Sequence, residues 1–165
     1  MILDLIEARK HSLCFFHWKH QRDMLVAEAE KRGVRYCVFD GDASDAVREE
    51  IVKGYQAGAY QVMFAHPASA GHGLTLTTGD TTIWASPTYN LSHFVQGNRR
   101  IPRMGQKKKT EQLTIVAPGT MEEKVYEMLL DKDARMTTLM DLFATLNQPI
   151  AASTVRKPKK ETASA

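Results

Sequence analysis

The chain has 165 residues, 43% of them hydrophobic and 25% charged, the balance of a globular protein able to bury one core. Its net charge of +3 resides in the last nineteen residues, where Arg156, Lys157, Lys159 and Lys160 face one acid, Glu161; residues 1–146 carry eighteen charges of each sign. This excludes a uniformly basic DNA-coating protein and leaves room for a local basic patch.

The elements come in order. The opening Met-Ile-Leu-Asp-Leu-Ile-Glu interrupts its apolar residues with acids and does not read as a signal peptide. Leu13–Phe16 is a short continuous apolar run, the pattern of a strand covered on both faces. His20–Arg32 is helix-like, with Met24, Leu25 and Ala29 on one side and Gly33 past its end. Tyr36–Phe39 is a second buried strand, followed by the turn-rich Asp40-Gly41-Asp42. Ser44 can cap a helix reaching Tyr55, and Gln61–Ala65, Thr81–Trp84 and Gln112–Val116 are further strands. A short helix, Leu91–Asn98, separates the last two.

Thr120-x-x-Glu123 is a capping box, in which Thr120 accepts from the Glu123 amide and the Glu123 side chain reaches back. Met121, Val125, Met128, Leu129, Met136, Leu139, Met140, Phe143 and Leu146 then recur at helical spacing, an apolar stripe expected to face the core. Residues 147–165 lack periodicity and read as a disordered basic tail after a single domain at 1–146. No apolar run approaches the ~20 residues that span a bilayer, so no membrane partner is expected. Cys14 and Cys37 lie inside apolar runs, as small buried residues of a reducing compartment do.

Strand and helix alternation argues for an α/β domain: a mainly parallel sheet with helices on both faces and a long C-terminal helix. Ligands of such sheets gather at the carboxyl ends of the strands, after Phe16, Phe39, Ala65, Trp84 and Val116.

The stretch from Gln96 to Lys109 carries six basic residues and no acid. Three are arginines, whose planar fork suits phosphate. Gln96, Arg100, Arg103, Gly105 and Gln106 meet the pattern Q-x-x-x-R-x-x-R-x-G-Q, which resembles the last signature motif of superfamily-two helicases, in the Swi/Snf-like branch of DNA-dependent ATPases. Other motifs of that family's second RecA-like lobe fall in order: Leu13–Trp18, Asp40-Gly41 with Arg48 and Tyr55, Gly71–Leu76 with Asp80 and Ile83, and Gly119–Lys124. The resemblance covers about residues 10–145, and the wording of His66–Leu74 is similar to phage and prophage members, which implies the cytoplasm of a phage-infected or prophage-bearing bacterial host.

The resemblance implies roles. Arg100 and Arg103 would be catalytic arginine fingers toward ATP, held with Mg²⁺ mainly by a first helicase lobe in the same longer chain or a separate subunit. Gly71, Gly73 and Gln96 would complete the nucleotide side, and His17, Trp18, His66, Lys107 and Lys108 would touch DNA. Trp18 and Tyr89 could stack on bases, although core packing is the commoner fate of such aromatics. Three positions depart from the family pattern: Arg99 stands where an acid is usual, Thr75 where Asn is, and His66-Pro67 where Ser-Thr is.

None of the ten glycines is followed by lysine, so a G-x-x-x-x-G-K-[ST] phosphate loop is missing, as is a D-E-x-[HD] metal motif. ATP hydrolysis by the chain alone is therefore not expected. Cys14, His17 and His20 invite a zinc reading, but no fourth ligand is evident. The alternative function is a stand-alone, non-catalytic module built on a helicase lobe, binding nucleic acid or protein; a metal-dependent nuclease finds no acidic cluster.

Overall fold

The computed structural model describes residues 1–69, 76–102 and 105–146, with side chains of 142–146 excepted. Gly71, Gly73 and Arg103, and the tail at 147–165, lie outside the described residues.

Residues Met1–Asp133 form one compact unit. Its elements are α1 (Ile2–Glu7), β1 (Ser12–Phe15), α2 (Lys19–Lys31), β2 (Tyr36–Phe39), α3 (Asp45–Gln56), β3 (Val62–Ala65), β4 (Thr81–Trp84), α4 (Leu91–Asn98) and β5 (Glu111–Thr114). The five strands make a parallel sheet in the order β2-β3-β1-β4-β5. In register, Leu13 lies beside Met63 and Thr82, and Phe15 beside Ala65 and Trp84.

The alternation of the central strand divides the core. Leu13 and Phe15 point to one face, where Tyr55 of α3 and Phe94 of α4 pack with Val125, Tyr126 and Leu129. Cys14 and Phe16 point to the other, against Leu3 and Ile6 of α1 and Leu25 and Ala29 of α2. Topology requires this split. The β1-to-β2 connection runs one way along the sheet and the later ones run back, so right-handed crossovers place α2 and α3 on opposite faces. Burial pushes the thiols of Cys14 and Cys37 up to about 12, and both are free.

The fold class expected from the sequence is the one observed; several details differ. Residues 2–7, which periodicity left without an element, form α1, because Leu3 and Ile6 need only one and a half turns to cover Phe16's face. Met24 is exposed while its neighbour Leu25 is buried. The end of α2 is a Schellman turn: Val34 N–H donates to Ala29 O and Gly33 N–H to Glu30 O, with Gly33 at φ +68°. Ser44 does occupy the N-cap of α3, but its side chain makes no capping bond.

The helix α5 (Met121–Leu146) begins in this unit and continues into a second one, which starts at Ala134. Its expected capping box is replaced by a shifted pair of bonds. The Glu123 carboxylate accepts from Gly119 N–H at 2.8 Å, one residue earlier than expected, while Thr120 Oγ1 donates to Ala117 O. The apolar stripe is a correction as well. Val125 and Leu129 are buried, but Met121, Met128, Met136, Leu139 and Met140 are exposed. Helical spacing reports a common face, not whether anything covers it. In the second unit Thr138 Oγ1 bonds back to Ala134 O.

Candidate functional site

Because all five strands run the same way, the sheet has a carboxyl edge and an amino edge, and the sequence motifs divide between them. At the carboxyl edge, β1 and β4 send the chain off in opposite directions, the arrangement that opens a crevice. Gln21 of α2 holds this place together. Its Oε1 accepts from His17 N–H at 3.2 Å and from Ser86 Oγ at 2.8 Å, and its Nε2 donates to Ala85 O. One amide thus fixes the loops after β1 and β4, a role that no sequence motif announced.

Four aromatic rings meet there. The His17 ring stands edge-on to Trp18 at 4.6 Å and to Tyr89 at 5.6 Å, and lies roughly parallel to His66 at 5.9 Å. Trp18 is 53% exposed and Tyr89 57%, so the core-packing expectation for both is overturned: each follows a strand end, where the sheet no longer covers it. His17 and His66 are half-buried, and burial draws both imidazoles below the usual histidine range, with neighbouring histidines adding to it. His66 Nδ1 accepts from Ala68 N–H, a turn closed by the residue that replaces the family's serine.

The Asp40-Gly41 motif is next to these rings. Asp40 Oδ1 accepts from the Asp42 amide, and its other oxygen meets Arg22 Nη1 at 2.7 Å. Burial alone would raise the Asp40 pKa; the Arg22 and Asp42 bonds outweigh it and hold the carboxyl low. Arg48 donates to Asp40 O and sits 5.7 Å from the Phe39 ring centroid, so this motif arginine shapes the turn. The rings of His17, Trp18 and His66 and this turn line a cavity of about 350 Å³.

The described part of the arginine motif lies at the amino edge. The helix α4 starts after β4 at Asn90, whose side chain accepts from His93 N–H, and runs back along the sheet. Gly97 makes its packing possible, since a Cβ there would come within 2.8 Å of Trp84 and 2.9 Å of Phe15, themselves stacked at 4.4 Å. Beyond α4, the Arg100 carbonyl accepts from Leu76 N–H, and Gln106 Nε2 donates to Gly79 O at 2.8 Å, just before β4. Gln106 Oε1 accepts from Lys108 N–H, and Lys108 Nζ reaches Thr78 O. The carboxyl-edge rule therefore does not reach the arginine segment, because a helix antiparallel to its strand delivers the residues after it to the opposite edge.

Arg100 is 3% exposed, whereas Arg99, Gln96, Lys107 and Lys108 are exposed, and the Gln96 amide bonds back to Ser92. Tyr55, part of the Asp-Gly motif series, is also at this edge, its ring 3.9 Å from that of His11. Burial lowers the pKa of His11, and the charge of Lys108 lowers it further. Arg9, Lys10, Lys108 and Lys109 border a cavity of about 570 Å³ together with Asp80 and Glu111. The residues expected on DNA thus fall into two groups: His17, Trp18 and His66 at one edge, Lys108 at the other. Among the described residues there is no group of three or more His, Cys, Asp or Glu that could hold a metal ion. No described helix is long and apolar enough to cross a membrane.

Comparison with known proteins gives the geometry a family. The model for the helicase conserved C-terminal domain matches residues 1–105. The SWI/SNF-related matrix-associated actin-dependent regulator of chromatin subfamily A-like protein 1 of Xenopus tropicalis is 30% identical over 133 residues, 79% of this chain and 14% of that protein. Chromodomain-helicase-DNA-binding protein 1-like of Danio rerio is 25% identical over 155 residues, 93% of this chain and 15% of that protein. The chain therefore spans about one seventh of the length of these relatives. The crystal structure of the C-terminal part of the Fun30 ATPase domain shares the fold, with a TM-score of 0.68 at 19% identity over 78% of this chain and 41% of that one. These relatives lend no support to the phage-type likeness read from His66–Leu74, nor to the bacterial host it implied. A parallel RecA-like sheet and the match over residues 1–105 lead to one assignment: the chain belongs to the helicase conserved C-terminal domain family.

Proposed function

We propose that the chain is the second motor lobe of a Swi/Snf-type DNA-dependent ATPase, and that Arg100 and Arg103 supply guanidinium charge to a nucleotide held mainly by a first lobe. The observation that carries this reading is the anchoring of the arginine segment. The Leu76 N–H bond to Arg100 O and the Gln106 bond to Gly79 O tie it at both ends to the turn before β4. A positively charged segment held in this way can present charge without reorganising during the reaction.

Motors of this family use ATP with Mg²⁺, which supply the transferred phosphoryl group and neutralise its charge. With no phosphate loop in its sequence, this chain binds neither tightly and hydrolyses no ATP alone. Its own residues stabilise developing charge through the arginines, position the segment through Gln106 and Gln96, and offer DNA a surface at His17, Trp18, His66, Lys107 and Lys108. ATP binding closes two lobes on the strand, and hydrolysis reopens them.

The test is reconstitution. Mixed with a first lobe of the same family, the chain should restore DNA-stimulated ATPase, and Arg103→Ala should lower turnover by about 10³-fold or more while DNA binding persists. Turnover by the pure chain, or reconstituted turnover indifferent to Arg103→Ala, would reject the proposal. Arg100 is better tested as Arg100→Lys, because its burial makes truncation a folding experiment. That burial favours a second reading: a binding module in which Arg100 is purely structural, in which case no added first lobe produces turnover.

A further inference from the structure

The helix α3 runs back along the sheet from the carboxyl edge, so its 12 residues, about 18 Å of helix, deliver its last turn to the amino edge. Both ends are fixed. Near its start Arg48 donates to Asp40 O at 3.2 Å, and at its end the Tyr55 side chain is fully buried. The last residue, Gln56, is half-buried. Its Oε1 accepts twice from Thr78, from Oγ1 at 2.6 Å and from N–H at 3.3 Å. A glutamine at a helix end is ordinary in sequence; what gives this one a role is the turn it holds.

Residues 76–79 form a platform between α3 and the arginine segment. On the arginine side, Leu76 N–H donates to Arg100 O at 3.3 Å, Thr78 O accepts from Lys108 Nζ at 3.2 Å, and Gly79 O accepts from Gln106 Nε2 at 2.8 Å. A Cβ on Gly79 would come within 2.7 Å of Tyr55 Oη and 3.1 Å of Ile101 Cδ1, so the turn is clamped between helix and segment. Resting on the motor-lobe reading, we infer that Gln56 is a positioning residue for the arginine segment, acting through Thr78 on the platform to which Arg100 is bonded. Arg100 is 3% exposed, so its side chain cannot swing through solvent to make up for a displaced backbone. Stabilisation of developing charge depends on placement, and a misplacement of about 1 Å can cost about 100-fold in rate.

The test mixes the full chain with a first lobe of the same family and measures DNA-stimulated ATP turnover. Gln56→Leu should lower kcat about tenfold, with KM for ATP and DNA affinity unchanged, because the other lobe holds most of the nucleotide. Thr78→Val removes the hydroxyl and keeps the shape, and should lower kcat roughly fivefold. Thr78→Ser restores the hydroxyl and should return turnover to within about twofold of the parent. The double variant Gln56→Leu with Thr78→Val should lose no more than Gln56→Leu alone, since the hydroxyl acts only through Gln56. Hydrogen exchange of the chain by itself gives a readout without activity. The Leu76 amide, bonded to Arg100 O, should exchange about tenfold faster in Gln56→Leu.

A lower melting temperature with unchanged kcat in the folded variants makes Gln56 purely structural and overturns the inference, while the motor-lobe reading stands. Equal loss from Thr78→Ser and Thr78→Val, or an unchanged Leu76 exchange rate, overturns it as well, because the hydroxyl is then not the link. A parent chain that gives no turnover with a first lobe overturns both. Should Gln56→Leu fail to fold, Thr78→Val and Thr78→Ser carry the same comparison: loss in the first and recovery in the second support the inference, and equal turnover rejects it.

Discussion

The two edges of one parallel sheet carry opposite chemistries. At the carboxyl edge, uncharged rings are set by one buttressing amide, and each nearby charge is paired: Arg22 with Asp40, Lys19 with Asp42. At the amino edge, backbone carbonyls of Thr78, Gly79 and Arg100 hold a segment whose lysines are exposed. The contrast teaches that motif order along a chain does not map onto one surface. A strand followed by an antiparallel helix alternates edges, so consecutive motifs part company.

The helix α4 joins the two edges, and the strongest way to break the comparison is to lift it. Gly97→Val places a branched side chain within about 3 Å of two stacked, buried rings that cannot both yield. We expect a loss of about 3 kcal/mol in urea unfolding, with both edges disturbed together. An unchanged midpoint would mean that α4 does not rest on Phe15 and Trp84.

A smaller, local effect is expected at the carboxyl edge. Asp40→Asn removes the partly buried pair with Arg22 and should cost about 1 kcal/mol at pH 7. Since the folded carboxyl titrates below its unfolded value, its contribution is present above the ordinary aspartate range and disappears as pH falls through the folded pKa. The difference between Asp40→Asn and the parent should therefore shrink toward zero in acid; a gap that persists there would assign the loss to shape, not charge.

Smallest in stability is the amino edge. Lys108→Ala removes one exposed bond and should change stability by less than about 0.5 kcal/mol. If the lysine neutralises a DNA phosphate, the same change should reduce the salt slope of DNA binding by about 1, measured between two salt concentrations. An unaltered slope would confine DNA to the aromatic edge.

Much of this was legible in the chain. The apolar runs at 13–16 and 36–39 name their strands because double-faced burial leaves no polar alternation, and Leu91–Asn98 was delimited to the residue. The arginine pattern pointed to its family without any coordinates. Periodicity was blind elsewhere. Met24 and Leu25 are equally apolar, but a helix turns 100° between them and only one faces the sheet. The methionines of α5 recur as a core stripe would, and solvent meets them all the same. Gln21 escaped notice because glutamine is ordinary on a helix surface, and its role exists only once two loops meet its amide.

Composition and local pattern by themselves determined the α/β class, the family motifs and the absence of a phosphate loop, because these depend on residue type and near spacing. Tertiary structure alone decided which edge each motif occupies, that Trp18 and Tyr89 are exposed, and that Arg100 is buried. Those outcomes depend on strand order and helix direction, which bring together residues such as Gln21 and Ser86, or Gly79 and Gln106, that are far apart in sequence. Burial and electrostatics act through space, and the distance between residues in space is set by how the chain is wound.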